Sequence, residues 1–371
     1  MIDGLVLLAT ELGTDLHGLL EQTESIVHGT TVATNALLER KGAKVGLLTT
    51  EGHRDVIEMR EGLKDDRYNL RMPPPVPLVP RVRRLGVRER TRFDGTIATP
   101  LSARSLEAAI ATLAKARVEA VAVCYLHSYR NPRHESQTGR AVARRLPGAY
   151  VSLSSEVLPQ IKEYERVWTT VVNAYVGPAL ASYLKNLAAR LSGHGYRGDV
   201  LIIQSHGGVA PVRESTRLAA GAVLSGPAGG VAAGRYCARL LDEPNLITFD
   251  MGGTSTDIAL LQGGEPQLTG EKTIGVAKVA LPAIDIHTLG AGGGSVASVD
   301  AGGILHVGPE SAGAQPGPAC YGKGGTRATV STARRAAPAS RPMRPPRKFA
   351  GSRKPSTRLA SVTVARVPPL P

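Results

Sequence analysis

Apolar and polar positions alternate in two distinct periods along the first 325 residues. Residues 4–22 carry apolar side chains at helical spacing, and 23–31 leads into a second helical stretch, VATNALLERKG, ending on Gly42 as a helix should. Residues 44–49 read as a short buried strand. From 51 to 100 the periodicity is lost; the prolines of PPPVPLVPRVRR forbid regular elements and predict an extended excursion or lid. Helices at 101–116 and 133–146 then alternate with strands at 118–126 and 150–153. A long helical pattern covers 157–191 with a break at Gly177-Pro178. A strand at 199–204, a helix at 225–241 and a hairpin at 245–261 follow, and a glycine turn with a short strand pair occupies 289–307. Strands alternating with helices predict an α/β fold, with mixed sheets because the hairpin joins antiparallel neighbours.

The hairpin NLITFDMGGTSTDIALL holds the densest chemistry. Asp250 closes its first strand and Asp257 opens its second. Gly252 and Gly253 permit close main-chain approach, and Thr254, Ser255 and Thr256 supply hydroxyls without charge, so the turn can aim several donors at one anion. Carboxylates do not attract a polyphosphate directly; their use there is through Mg2+. The alternative for such a turn is an ordinary glycine hairpin.

Four other groups qualify as candidates. Ser225-Gly-Pro-Ala-Gly-Gly230 opens a helix, with Ser225 as N-cap, and offers Ser225, Gly226, Gly229 and Gly230 to an anion. The loop Gly290 to Ser295, including Gly292, Gly293 and Gly294, lacks a basic residue and is no Walker A loop, but permits backbone approach to a nucleotide. Asp285 and His287, two apart, would share a strand face and could hold a metal or polarise a carbonyl. His28, Thr30, Thr31 and Asn35 open a helix with a dense polar cluster fit to contact substrate. Ser205-His-Gly-Gly lies at a strand's carboxyl end but lacks a nucleophile elbow, and Arg60, Arg67, Arg71, Arg81, Arg83 and Arg84 are expected on a solvated surface.

Composition changes this picture at one end only. Of the 45 basic residues eleven fall in 326–371, together with none of the 31 acidic ones, so the net charge of +14 belongs mostly to that tail. Pro, Arg, Ser and Ala dominate there, and disorder is expected, with weak non-specific nucleic-acid contact as the most the tail could do. Three cysteines are too few for a disulfide framework or zinc site and suggest a reducing cytoplasm. No strongly apolar run of membrane-spanning length occurs.

From about residue 24 to 325 the chain resembles the hydantoinase A / ATP-dependent 5-oxoprolinase family, which also includes acetone and acetophenone carboxylase subunits. The resemblance rests on VHGTTVATNALLERKGAKVGLLTTEGHRD, VAVCYLHSYRNPRHE, LSSEVLPQIKEYERVWTTVVNAYVGP, LSGPAGG, FDMGGTSTD and DIHTLGAGGGS, in that order. It implies a two-domain actin/sugar-kinase-like ATPase architecture with mixed sheets, incomplete at both termini. The implied segments are 1–40, a remnant of the N-terminal domain; 41–325, an incomplete ATPase core; and 326–371, a tail such as a frameshift near Thr326 would produce. It also implies ATP-dependent opening of a cyclic amide of the 5-oxoproline or hydantoin type, by phosphorylation of the carbonyl oxygen, with a B-type subunit as partner. ATP and Mg2+ would be the cofactors. Asp250, Gly252, Gly253, Thr254, Thr256 and Asp257 would serve phosphate and metal, 225–230 and 290–295 would frame the nucleotide, and His28, Thr30, Thr31 and Asn35 would line the cleft. A ketone carboxylase subunit and a catalytically silent remnant are the alternatives.

Overall fold

The computed structural model of the protein describes residues 1–59, 68–72, 76–336 and 362–366. Helices α1 (Ile2–Glu11) and α2 (Leu16–Glu21) precede β1 (Ser25–His28), α3 (Val32–Leu38), β2 (Val45–Thr50) and α4 (Val56–Met59). Next come β3 (Arg84–Val87), β4 (Arg90–Thr91), β5 (Ile97–Thr99), α5 (Ala103–Lys115), β6 (Ala120–Cys124), α6 (Arg133–Arg145), β7 (Tyr150–Leu153) and α7 (Ser154–Val157). The long α8 (Glu163–Gly193) leads to β8 (Asp199–Ile203), β9 (Val209–Pro211), α9 (Val212–Arg217) and α10 (Ser225–Leu241). Strands dominate thereafter: β10 (Leu246–Met251), β11 (Thr256–Gln262), β12 (Glu265–Pro266), β13 (Leu268–Thr269), β14 (Lys272–Ile274), β15 (Ala277–Val279), β16 (Ala283–Ile284) and β17 (Ile286–Leu289). The run closes with β18 (Ser295–Val299), β19 (Leu305–Ser311), α11 (Val330–Ala336) and β20 (Val362–Arg366). Two compact units emerge, Met1–Ala228 with Leu268–Ala283, and Gly229–Gln267 with Ile284–Pro371.

In the first unit an all-parallel sheet, ordered β3-β2-β6-β7, is buried on both faces. Every residue of β2 (VGLLTT) and β6 (AVAVC) is buried, as a parallel sheet under two helical layers requires. Leu106, Ile110 and Leu113 of α5 and Val142 of α6 form one core with Val121 and Val123; Val171, Val172, Val176, Leu180 and Leu184 of α8 form another with Val45, Leu47 and Ala122. A second sheet sets β1 parallel to β8 and β9 antiparallel to it.

Three expectations change here. Pro178 lies inside α8, which continues unbroken through it; the lost intrahelical bond is offset by tertiary packing, the helix being buried along residues 165–177. The stretch expected to be irregular contains β3, a full member of the parallel sheet, and the β4–β5 hairpin. Residues 4–22 form two helices, with Asp15 capping α2 through the Gly18 amide at 2.7 Å, and the lead-in to α3 contains β1.

In the second unit β10 and β11 form an antiparallel hairpin extended by β12 and by β17 on the β11 side. Strand β20 pairs antiparallel with β10, and α11 precedes it, so two parts of the segment expected to be disordered have regular structure. The β-branched VTVAR run supplies the extended backbone that the open edge of β10 can pair. The rest of that tail, residues 337–361 and 367–371, lies outside the described residues.

Candidate functional site

The register of the hairpin sets Asp250 directly opposite Asp257, and Met251 opposite Thr256. Residues opposed in this way share a sheet face, with Cβ atoms about 5 Å apart. On the same face lie Leu246 and Thr248 of β10, Ala259 and Leu261 of β11, and Ile286 and Thr288 of β17. The face is apolar toward one end, and the two aspartates stand at the other. Helix α10 packs on it through glycines one turn apart. A Cβ on Gly234 would lie 2.2 Å from Thr248 Cγ2, and one on Gly230 would lie 3.3 Å from Asp250 Oδ2. The absent side chains let the helix backbone come close to the Asp250 carboxylate. Asp257 is held by the Thr288 hydroxyl, which donates to its Oδ1 at 2.6 Å.

The turn after Asp250 and the glycine loop after β17 interlock. Gly252 N donates to Ser255 O at 2.9 Å, closing the turn, while Gly293 N and Gly294 N donate to the carbonyls of Gly252 and Gly253 at 2.8 and 2.7 Å. Gly292 carries the closest approach: a Cβ there would stand 2.7 Å from the amide nitrogens of both Thr254 and Ser255. Ser295 accepts the Gly292 amide at 2.8 Å, and the Ser331 amide donates to Gly293 O at 2.8 Å. The carbonyls of the first turn are thereby occupied, while the amides of Gly253, Thr254 and Ser255 have no hydrogen-bond partner among the described residues. Unpaired amides on an exposed turn are the groups from which an anion-binding concavity can be built. Thr254 is exposed beside them; Thr256 is buried and its hydroxyl donates to Ala291 O at 2.6 Å, so it braces the second loop instead of facing outward.

A nucleotide phosphate with Mg2+ fits this arrangement by its donor chemistry. Two opposed carboxylates plus phosphate oxygens and water are a sufficient ligand set for Mg2+, which seldom takes an all-protein cage. No cluster of three or more His, Cys, Asp or Glu able to hold a metal occurs among the described residues. Asp285 and His287 do not join the pair. His287 is opposite Ile258, and Asp257 opposite Thr288, so the pleat turns His287, with Asp285 on its alternation, to the other face of the sheet. Both are exposed there.

In the first unit the polar cluster after β1 meets the start of α10. Ser225 Oγ donates to Thr30 O at 2.8 Å and accepts the Thr30 amide at 3.3 Å. Its hydroxyl therefore ties two turns together and does not cap the helix. Thr34 Oγ1 accepts the Leu224 amide at 2.8 Å, and Gly226 lies close enough that a Cβ would touch Thr31 Cγ2 at 3.4 Å. Asn35 donates to Thr31 Oγ1 at 3.3 Å, both exposed. His28 is half-buried, bonded through Nε2 to Tyr183 Oη at 2.8 Å, and burial, with the positive N-terminus adding to it, lowers its pKa below the ordinary 6.5.

Other sequence candidates serve the framework. Ser205 is buried and donates to Gly221 O at 2.7 Å. Arg84, expected in solvent, is wholly buried and pairs with Glu58 at 2.6 Å; Arg81 makes a two-bond pair with Asp55, both at 3.0 Å. Arg83 bonds Val45 O, Arg71 is exposed, and Arg60 and Arg67 lie outside the described residues. Cys124 is buried, and burial raises its thiol to about 11. Two supports of the site were missed. Thr288 could have been found from its alternation with Ile286, whereas Ser331 sits past the point where regular structure was expected to end.

The unit with the parallel sheet and the unit with the hairpin together make a mixed α/β protein whose glycine-braced turn follows an aspartate-ended strand. The chain belongs to the hydantoinase/oxoprolinase family: the model of the family's N-terminal region matches residues 2–146, and the Hydantoinase/oxoprolinase model matches 166–336. The second match runs past residue 325, through the helix at Val330–Ala336. Caprolactamase subunit alpha of Pseudomonas jessenii is 42% identical over 333 residues, covering 89% of this chain and 48% of that protein. 5-Oxoprolinase 1 of Arabidopsis thaliana is 36% identical, covering 81% of this chain and 25% of that one. Among solved structures, the ATP-dependent caprolactamase of Pseudomonas jessenii superposes with a TM-score of 0.78 over 90% of this chain and 49% of its own. Nucleotide-free acetone carboxylase superposes at 0.74 with 29% identity, over 87% of this chain and 47% of its own. The chain thus spans about half the length of the caprolactamase subunit or less of other relatives. No described helix is long and apolar enough to cross a membrane.

Proposed function

We propose that this chain carries the phosphate-handling part of an ATP-dependent hydrolase that opens a cyclic amide. The observation that carries the reading is the braced turn 252–255, whose unpartnered amides follow Asp250 and face no acceptor of the protein's own. In this reading the amides of Gly253, Thr254 and Ser255 and the Thr254 hydroxyl hold the terminal phosphates. Asp250 and Asp257 hold Mg2+, directly or through water, and the metal supplies charge neutralisation at the transferring group.

An amide resists water because its nitrogen is a poor leaving group and its carbonyl is resonance-stabilised. Transfer of the γ-phosphoryl group to the carbonyl oxygen breaks the phosphoanhydride bond and forms an activated imidate. Water then adds to that carbon, the ring C–N bond breaks as the nitrogen takes a proton to leave an acyl phosphate, and a second water releases phosphate from it, leaving a ring-opened acid. The protein's task in the first step is positioning and charge stabilisation, and fixed amides perform it without reorganisation. A B-type subunit would assist the hydrolytic step; relatives of this chain include an alpha subunit of caprolactamase and a gamma subunit of acetophenone carboxylase. The same phosphorylation applied to a ketone enolate gives the carboxylase reading. Higher identity to the caprolactamase subunit, 42% against 34%, favours the amide.

Phosphate release from ATP with Mg2+ is the test, measured with 5-oxoproline, hydantoin, caprolactam and acetone, with and without a B-type subunit. Release stimulated by a cyclic amide is expected. Stimulation by the ketone and bicarbonate alone would move the assignment to the carboxylase.

A further inference from the structure

Strand β7 ends the parallel sheet of the first unit, and its outer edge has no neighbouring strand among the described residues. The Tyr150 amide donates to Glu119 O at 3.0 Å, on the β6 side. Backbone groups alternate in direction along a strand, so the amides of Val151 and Leu153 and the Val151 carbonyl point out from the open edge. Register with β6 runs unbroken from Tyr150 to Leu153. The strand YVSL carries no proline, charge or bulge, the devices that ordinarily keep a sheet edge from pairing.

A groove opens on each side of this edge, and alternate residues of β7 line the two. Tyr150 and Ser152 face α8 and α9: the Tyr150 hydroxyl donates to Thr216 O at 2.6 Å, and the Asn173 amide donates to Ser152 Oγ at 2.9 Å. Arg213 and Arg217 of α9 line the groove on that side, about 170 Å³ in volume. Val151 and Leu153 face α6 and, with Gly139 and Ala143, floor the other groove, of about 410 Å³. Gly139 leaves Leu153 its place in that floor, since a Cβ there would stand 3.2 Å from Leu153 Cδ2. An open edge with a pocket on either face suits an extended peptide: main-chain bonds hold it, and its side chains enter the two pockets in turn.

Charge decides what that peptide carries. Arg217 is engaged by Glu214 at 3.0 Å and by Glu156 at 3.9 Å. Arg213, on the same groove, and Arg140, on the other, are exposed and have no ion-pair partner among the described residues. Three arginines thus line the two grooves against one acidic residue, Glu156, an excess that an acidic segment would neutralise.

We propose that β7 receives an extended segment of another protein chain as an added strand, its apolar side chains resting on Val151 and Leu153 and the alternate, acidic ones meeting Arg213. This docking uses none of the residues of the phosphate reading and stands whether or not the chain turns over ATP. Fluorescence anisotropy with the full chain tests it, using an end-labelled peptide Thr-Val-Glu-Val-Glu-Val-Thr, its counterpart with lysine for both glutamates, and a third with the central valine amide N-methylated. Expected are saturable binding of the first peptide and a loss of about tenfold or more with each of the others. Arg213→Glu should cost the first peptide about tenfold as well. Val151→Pro, which removes an outward amide and no bond to β6, should abolish its binding. Hydrogen exchange should show the amides of Val151 and Leu153 protected by the first peptide. The Arg213 variant and the methylated peptide decide the matter even if the proline variant is unstable. No binding, equal binding of the lysine or methylated peptide, binding unmoved by Arg213→Glu, or protection confined to other strands would overturn the proposal. So would a dimer of the chain alone, seen in sedimentation and dissolved by Val151→Pro, which would place a second copy at this edge instead.

Discussion

Asp250 and Gly292 act at the turn in different ways, and substitution separates them. Asp250→Asn keeps the shape and removes the charge that a metal needs; phosphate release should fall about 100-fold with no change in the unfolding transition. Gly292→Ala places a methyl group 2.7 Å from two backbone nitrogens, so the loops must part. A cost of about 1–3 kcal/mol in denaturant unfolding is expected, together with weakened nucleotide binding. His28 gives a pH signature. Its folded pKa is lowered, so the unfolded chain binds the proton more readily. Stability from this group is complete above its unfolded pKa near 6.5 and is lost as pH falls below that value toward the folded pKa. Thermal unfolding should drop across that window, and His28→Gln should flatten the drop. Which hydroxyls stay outward was not legible in the sequence: Ser225 is consumed by Thr30, 195 positions away, and Thr256 by Ala291. A hydroxyl's composition and spacing are the same whether it faces solvent or a distant carbonyl.

At the scale of elements, α10 and β10 depend on a glycine face. Gly234→Ala would drive a methyl group to 2.2 Å from Thr248 Cγ2 and lift the helix from the hairpin, at about 1–3 kcal/mol. Thr248→Ser removes the opposing methyl, so the double substitution should recover most of that loss; hydrogen exchange of the β10 amides reports it. If the single change is silent, this helix does not rest on that face. The hairpin itself was legible because apolar runs flank a glycine turn and two acids fix its ends. Strand β3 was not, since its pairing comes from β2, more than thirty residues earlier, and local proline content points the other way. The continuity of α8 through Pro178 has the same origin: burial among Val45, Leu47 and Ala122 outweighs a local preference.

For the whole molecule, the family was legible because its motifs are contiguous in sequence. Asp285 and His287 stand on the sheet face opposite the two aspartates for a reason of register. A strand's two faces cannot be assigned until its partner is known, and pairing of Thr288 with Asp257 turned His287 away. The most direct measurement is equilibrium binding of ATP to the full chain, with Mg2+ and with EDTA, for the unmodified protein, Asp250→Asn and Asp257→Asn. Mg2+-dependent binding is predicted, weakened by both substitutions, with exchange protection of the amides of Gly253, Thr254 and Ser255. Absence of binding, or binding indifferent to metal and to both aspartates, would contradict the placement of phosphate at this turn.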